Sequence, residues 1–398
     1  MGENILQSLK FQSFVLVLTS FILGFSEFII VGILNDVAAD FHVSLAAVGL
    51  LVTIFAIIYA ISTPIVSLSI GHHRLSRGYF VLMTIFAGSN FLTAVASNYF
   101  VLVIARMLTA IVSGTLVSLS IAFISFLAPL DKRARIVAWI FSGFSIASVF
   151  GVPLGTWLSG YASWRDVFWL IGLLSVITLV LGLLCLPKEL RQAKTQSFFK
   201  QLAIFLDRRI QLGVLLPLLN LAGIYVFYTY LRPIFSQKMG FNINLLTFLL
   251  FVYGFMSLIG NLYSGRIAQQ HGLTTMPYVF LLQFILLASL PFLLANKFWG
   301  LLSVMTLGIS MYLINSPSEM FYLQIAEKKY PQSLVLASSF NSIFANVGIA
   351  LGSGIGSLLY VKTGLVGIGP GGAIFALLAL LVNIGLNTLL KKPAIIKN

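Results

Sequence analysis

Three charged side chains fall inside long apolar runs of this 398-residue chain: Glu27, Arg106 and Glu319. An ionisable group in hydrocarbon is costly, so each is a site hypothesis by default. A carboxyl group held out of water favours its neutral form, so Glu27 is placed to take up and release a proton. Glu27 lies about 20 Å along its run at ~1.5 Å per residue, roughly 10 Å from the far edge of a ~30 Å hydrocarbon core. Arg106 lies roughly 10 Å into a run of opposite direction, so the two share a level. Opposite charges at one depth predict an ion pair that a proton or a substrate breaks. A permanent pair that only fixes helix packing is the alternative. Glu319, beside Asn315 and Pro317 near one end of its run, is either an interfacial carboxylate within reach of water, Lys328 and Lys329, or a cavity residue. Tyr59, Asn220, Tyr225, Tyr228, Tyr253 and Asn341 are polar or amphipathic positions in other runs. They either line a substrate cavity or face lipid and neighbouring helices.

Other chemistry is missing from the sequence. It has no phosphate-binding loop, no H-E-x-x-H and no G-x-S-x-G, which argues against an enzyme and against direct use of ATP. His72 and His73 are adjacent in a loop without carboxylate or cysteine support, so no metal site is expected. The single Cys185 excludes a disulfide framework. No cofactor is expected.

The elements that must position these residues follow from composition. Hydrophobic residues make up 59% and charged residues 9% of the chain. A soluble domain carries roughly 25% charged residues, and a disordered chain is poor in apolar ones. Both are excluded, leaving a polytopic membrane protein. Apolar runs lie near 14–34, 48–70, 79–97, 99–123, 136–159, 167–186, 210–230, 245–264, 278–295, 298–323, 336–360 and 372–390. Runs of about 20 residues without alternation predict twelve transmembrane helices, not barrel strands. The first run is too long for a cleaved signal and carries Glu27 inside it.

Charge sets the orientation. With the N-terminus in the cytoplasm, only Arg165, Arg232, Lys238, Lys297 and Lys362 of the 24 Lys and Arg fall in external segments. The predicted topology is therefore N-in and C-in, and the formal +14 reflects orientation, not nucleic-acid binding. Trp157, Trp164, Trp169 and Trp299 fall at predicted outer helix ends, as an interfacial belt would. The longest polar break, 187–209, divides the chain into a six-helix half 1–186, a cytoplasmic linker 187–209 and a second half 210–398. Gly151, Pro153 and Gly155 in the fifth run have a counterpart in Gly352 to Gly356 of the eleventh, a weak internal repeat. Two parallel halves with a site at their interface is a transporter architecture.

The chain resembles the major facilitator superfamily, in particular its drug:proton antiporter (DHA1) branch near the sugar and arabinose effluxers. Gly24 to Leu34 followed by Asp36 and Asp40 is similar to the family's T-E-F-x-x-x-G-L-L-x-x-I-A-x-D stretch. Gly151-Val152-Pro153-Leu154-Gly155-Thr156, followed by Trp164 and Arg165, resembles the antiporter signature. Tyr228 to Pro233 and Asn341 to Gly356 fit as well. The loop motif G-x-L-A-D-R-x-G-R-K departs: its acidic position is His73, followed by Arg74 and Arg77, and the second half's copy lacks the acid too. Arg74 and Arg77 either touch helix C-termini or lipid, or act only as positive-inside anchors. The resemblance implies an all-α, twelve-helix exporter in a cell membrane, a monomer driven by the proton gradient. Its partners are protons, a drug or sugar-like small molecule and the lipid bilayer. Glu27 and Arg106 would couple the proton, with Gly151, Pro153 and Gly155 as a hinge or packing seam.

Overall fold

The structure, a computed structural model, describes residues 8–70, 74–190, 202–330, 333–337 and 340–391. His72, His73 and the linker cations Arg191, Lys194 and Lys200 lie outside the described residues. The described chain is helical, with no strand, as lipid demands of a backbone that must satisfy its own hydrogen bonds. The helices are α1 (Leu9–Asp40), α2 (Leu45–Ile70), α3 (Leu75–Ala94), α4 (Tyr99–Leu127), α5 (Leu130–Ile146, Ala147–Gly151 and Val152–Tyr161) and α6 (Trp164–Cys185). They continue with α7 (Arg208–Tyr228), α8 (Ile243–Gln270), α9 (Met276–Leu293), α10 (Lys297–Met311 and Asn315–Lys329), α11 (Phe340–Thr363) and α12 (Ile368–Lys391). Eleven of these twelve are long and apolar enough to cross a membrane. The remaining one, α3, has 20 residues and carries Arg77, Ser89, Asn90 and Thr93.

The chain divides into two compact units, Met1–Thr195 with Phe241–Gly254, and Gln196–Gly240 with Phe255–Asn398. In the first, α1 is buried along most of its length and packs on α2, α4, α5 and α6. Between lipid-embedded helices no hydrophobic gain separates contact from lipid, so close packing at small residues must hold them. Gly24 meets Phe144 and Ala147 of α5, and Gly143 of α5 meets Ser20 and the backbone of Val17 and Phe21. Gly151 lies under the Phe25 ring, and Gly155 under Ile29. Pro153 has no N–H to give, and just before it Ala147–Gly151 forms a π-helical turn in which Val152 N–H reaches back to Ala147 O.

Polar contacts fasten the helix ends of this unit. Arg165, at the start of α6, pairs with Asp40 at the end of α1 and donates from Nη2 to Ala96 O at 2.9 Å. Trp164 Nε1 donates to the same carboxylate at 3.3 Å. Two stretches that carry the family resemblance are thus one clamp across α1, α3 and α6. Trp164 is 3% exposed and packs on Phe41 and Phe168, so it is a core residue, whereas Trp157, Trp169 and Trp299 are exposed as a belt requires. At the opposite end Gln12 Nε2 donates to Cys185 O at 2.8 Å. Arg74 stands at the N-cap position of α3 without a side-chain capping bond and pairs with Glu189 just beyond α6 at 3.2 Å, an exposed contact worth little. Arg77 is exposed.

In the second unit α7 packs on α11 and α12, and α9 on α12. Gly348, Gly352 and Gly356 of α11 lie directly on the backbone of Leu218, Ala222 and Val226 of α7. The two glycine runs of the repeat therefore do the same thing: each seats its helix on the first helix of its own unit. Beyond Tyr228, Tyr230 donates to Ser357 Oγ at 3.0 Å and stacks on Tyr360 with centroids 4.8 Å apart. Asp207 is the N-cap of α7, accepting from Arg209 N–H at 3.0 Å, Arg209 Nε at 2.9 Å and Nη2 at 2.7 Å, with Lys329 Nζ at 3.4 Å. Hydrogen bonds from the Arg209 side chain hold its carboxyl down at about 2.

Two outcomes follow. A Cβ at Gly352 would collide with the Ala222 carbonyl, which is backbone and cannot turn aside, whereas at Gly151 it would stand 2.8 Å from the rotatable Phe25 ring. Gly352→Ala should cost about 1–3 kcal/mol and Gly151→Ala clearly less, read as melting temperatures of purified protein in detergent. Asp207→Ala should remove about 1 kcal/mol of capping. Because the folded carboxyl titrates below the unfolded one, that difference is full above about pH 4 and closes as pH falls toward 2. A melting series from pH 7 to pH 2.5 checks it.

Candidate functional site

Arg106 is 1% exposed in the middle of the first unit. Its Nη1 donates to Ser26 Oγ of α1 at 3.0 Å, and Ser26 Oγ donates onward to Asn90 Oδ1 of α3 at 2.8 Å. Asn90 Nδ2 in turn donates to Phe86 O at 2.8 Å. Beside this chain Thr109 of α4 donates to Ser89 Oγ of α3 at 2.9 Å. The guanidinium carbon lies 4.8 Å from the Phe55 ring centroid and 5.7 Å from that of Phe168, so two aromatic rings add to the stabilisation of the cation. Nε is buried with no hydrogen-bond partner in the described structure.

Glu27 follows Ser26, and one step along a helix turns a side chain by about 100°. Ser26 is committed to α3 and α4, and Glu27 is half-buried and not a member of the hydrogen-bonded knot. It accepts no hydrogen bond from the described residues. The expected ion pair with Arg106 is not formed: the guanidinium is spent on Ser26, and the two charges act on each other only through space. The carboxylate is thus left available, beside a cation fixed by other partners. Tyr59 joins the same neighbourhood, buried against Phe55, which also lies under the Arg106 guanidinium. Tyr253 is buried in the first unit, where α8 begins.

In the second unit the polar positions converge on a break in α10. That helix ends at Met311 and restarts at Asn315. Asn220 of α7 donates to Met311 O at 2.9 Å, and Gln283 of α9 donates to Ser310 O at 3.2 Å and to Asn220 Oδ1 at 3.0 Å. The two amides supply donors to carbonyls at the broken end, which lipid would leave unmet. Across the break Asn315 donates to Asn261 Oδ1 of α8 at 3.1 Å, and Ser316 and Ser264 share a hydrogen bond of 2.8 Å. Tyr225 and Tyr228 are buried and meet edge to face at 5.1 Å. The Asn341 Oδ1 is buried without a hydrogen-bond partner among the described residues. Glu319 is half-buried and lies ten residues before the end of its helix, which continues past the apolar run to Lys329. Lys329, an expected partner, bonds Asp207 instead.

Sequence reading singled out Glu27, Arg106, Tyr59 and Asn220 but not Ser26, Asn90 and Gln283, which the structure joins to Arg106 and Asn220 in hydrogen-bonded knots. The signal was available, since Asn90 and Gln283 are amides inside apolar runs just as Asn220 is. Ser26 carried none, because a serine in a membrane helix ordinarily bonds its own backbone.

Helices of membrane-crossing length, two compact units and buried polar knots in each define a polytopic membrane transporter. The chain belongs to the Major Facilitator Superfamily, whose model matches residues 16–333. It is 29% identical over 368 residues to the inner membrane transport protein YdhP of Escherichia coli (strain K12), covering 92% of this chain and 93% of that one. It is 30% identical over 371 residues to a probable sugar efflux transporter of Helicobacter pylori (strain G27), covering 92% and 93%. Among solved structures it is similar in fold to a bacterial homologue of the human lysosomal transporter Spinster, inward-facing and unoccupied. The TM-score there is 0.76 at 15% identity, over 99% of this chain and 100% of that one. The nucleoside transporter NupG follows at 0.74 and 15%, over 96% and 100%.

Ser26→Ala leaves Arg106 Nη1 without its acceptor and Asn90 Oδ1 without its donor. It should lower stability by about 1–2 kcal/mol, and Asn90→Ala added to it should cost less than the sum of the two singles. Melting temperatures of the three variants in detergent measure the cycle.

Proposed function

We propose that this chain is a proton-coupled exporter of small molecules, sugar-like metabolites or drugs, working by alternating access in the manner of the DHA1 branch. The observation that carries the reading is the half-buried, hydrogen-bond-free carboxyl of Glu27 next to the Ser26–Asn90–Arg106 knot. Protonation of Glu27 favours one facing state and substrate favours the other, and each ligand acts only through its differential affinity for the two. Arg106 stands near the carboxyl without locking it in a pair. With both termini in the cytoplasm, Glu27 lies toward the outer side and loads from the exterior, which suits antiport. The halves 1–186 and 210–398, joined by a cytoplasmic linker 187–209, are the moving parts of a monomer that uses no bound cofactor. A sugar efflux transporter among the relatives supports the direction and the substrate class.

The test is uptake of a labelled sugar and drug panel into inverted vesicles under an imposed proton gradient. Uptake by the wild type should collapse on adding an uncoupler, and Glu27→Gln should lower gradient-driven uptake at least tenfold. Gradient-driven, uncoupler-sensitive transport by Glu27→Gln at wild-type rate removes Glu27 from coupling. Wild-type transport indifferent to the uncoupler makes the chain a facilitator of the same fold.

A further inference from the structure

Within the first unit α5 meets the first turns of α8 at two glycines. At the end of α5, Gly160 seats against Ile243, the first residue of α8, where a Cβ would stand 3.1 Å from Ile243 Cγ1. Deeper in, Gly254 of α8 lies on the backbone of Ser148 and Val149 in the π-helical turn of α5. Between these contacts the helices part. The space left is a crevice of about 450 Å³, walled by Phe150, Leu154 and Trp157 on one side and by Phe248 and Phe251 on the other. Such a volume falls within the ~300–1,000 Å³ of ligand pockets. The Phe150 and Phe251 rings meet edge to face with centroids 5.6 Å apart, and the buried Pro153 also lines the crevice. Phe150, Leu154, Trp157 and Phe248 are each about half exposed, so the crevice opens sideways, out of the bundle.

Its length and polarity indicate what fills it. From Ile243 to Gly254 it runs about 16 Å at ~1.5 Å per residue, close to half of a ~30 Å hydrocarbon core. It starts where the membrane-crossing segment of α5 ends and that of α8 begins, at Tyr161 and Ile243, and stops near the middle of both. It therefore has the length of one leaflet. The polar groups gather at its mouth. Tyr161 Oη donates to Asn244 Oδ1 at 3.1 Å, which leaves the Asn244 amide N–H groups for an acceptor such as an ester carbonyl. Thr247, the other polar group of the lining, turns its hydroxyl back to Ile243 O at 3.0 Å. Deeper than Thr247 the lining is apolar. Water does not occupy apolar space of this kind, and an empty slot forfeits the dispersion contacts of its walls. A hydrocarbon tail with an ester at one end matches both the length and the grading, and a compact polar solute matches neither.

We propose that the crevice between α5 and the start of α8 is a binding site for one acyl chain of a membrane phospholipid, with its ester end at Asn244 and Tyr161. The site goes beyond the transporter reading and does not depend on it. The lipid tail completes the packing of α5 on α8 and rests on the π-helical turn and Pro153.

The test places the purified full chain in phosphatidylcholine vesicles that hold a small fraction of phosphatidylcholine with a diazirine midway along one acyl chain. After illumination the adducts are mapped by mass spectrometry. Adducts on Leu154, Phe248 and Phe251 should exceed those on Leu173 and Ile177 of α6, apolar side chains that are also exposed within a span, at least fivefold. Thr247→Phe fills the crevice from one wall and should bring the Leu154 yield down to the α6 level. Should that variant fail to fold, Leu154→Phe fills it from the other wall and should do the same to Phe248, and the wild-type comparison stands by itself. Equal yields on crevice and α6 in the wild type reduce the contact to ordinary solvation by lipid and overturn the proposal. A surplus that survives filling overturns it too. Disulfide-linked dimers of Leu154→Cys, in place of the surplus, give the groove to a second copy of this chain and likewise overturn it.

Discussion

A guanidinium held at 1% exposure inside a bundle of apolar helices is the constraint around which the first unit is arranged. Lipid and aliphatic side chains offer it nothing, so α1 must bring a hydroxyl, α2 and α6 must bring aromatic faces, and α3 must bring an amide oxygen to accept the hydroxyl's proton. Each demand fixes the rotation of one helix about its axis. With Ser26 turned to α3 and α4, the glycines of α1 fall on the side where α5 arrives, and the seam of Gly24, Gly143, Gly151 and Gly155 closes. The same rotation leaves Glu27 off the knot. For the proton exchange proposed here, a fixed cation nearby serves a carboxyl better than one bonded to it, because a bonded pair must break before the proton can enter.

The second unit solves the same geometric problem without a charge. Its first, third and fourth helices, α7, α9 and α10, meet at Asn220, Gln283 and Ser310, as α1, α3 and α4 meet at Ser26, Asn90 and Arg106. Its first and fifth pack through a glycine run, and more closely, since Gly348, Gly352 and Gly356 touch backbone where Gly151 and Gly155 touch side chains. The repeat is therefore one of contact types as well as of sequence. What differs is chemistry: a cation in one knot, neutral amides in the other.

Much of the architecture could be read in the sequence because membrane helices announce themselves by length and apolarity, and all twelve runs coincide with helices. Glu27 and Arg106 could be read because charge in such a run is rare. Their relation could not. Shared depth says nothing about azimuth, and azimuth sent Arg106 to Ser26. Trp164 illustrates the same limit: its position at a helix end predicts a belt, but the neighbouring Arg165 carries it inward over Asp40 and Phe41. The break in α10 was invisible because the sequence Tyr312-Leu313-Ile314 is as apolar as any helix, and the donors that stabilise the break sit on α7 and α9.

That break explains why the two knots differ. A helix interrupted in hydrocarbon exposes carbonyls that have lost their intrahelical donors, and each costs several kcal/mol unless met. An arginine could meet them, but it would add a buried charge requiring its own compensation. Asn220 and Gln283 bring donors and acceptors in equal measure, so they cap Ser310 and Met311 and also bond each other without importing charge. In the first unit α4 is continuous through Arg106, its carbonyls are already satisfied, and the polar centre is free to hold a cation. A charged knot with an intact helix and a neutral knot with a broken one are thus two consistent ways to satisfy the same hydrogen-bond accounting. Only the second leaves a polar first turn, Asn315 and Ser316, with a carboxylate following it inside the membrane.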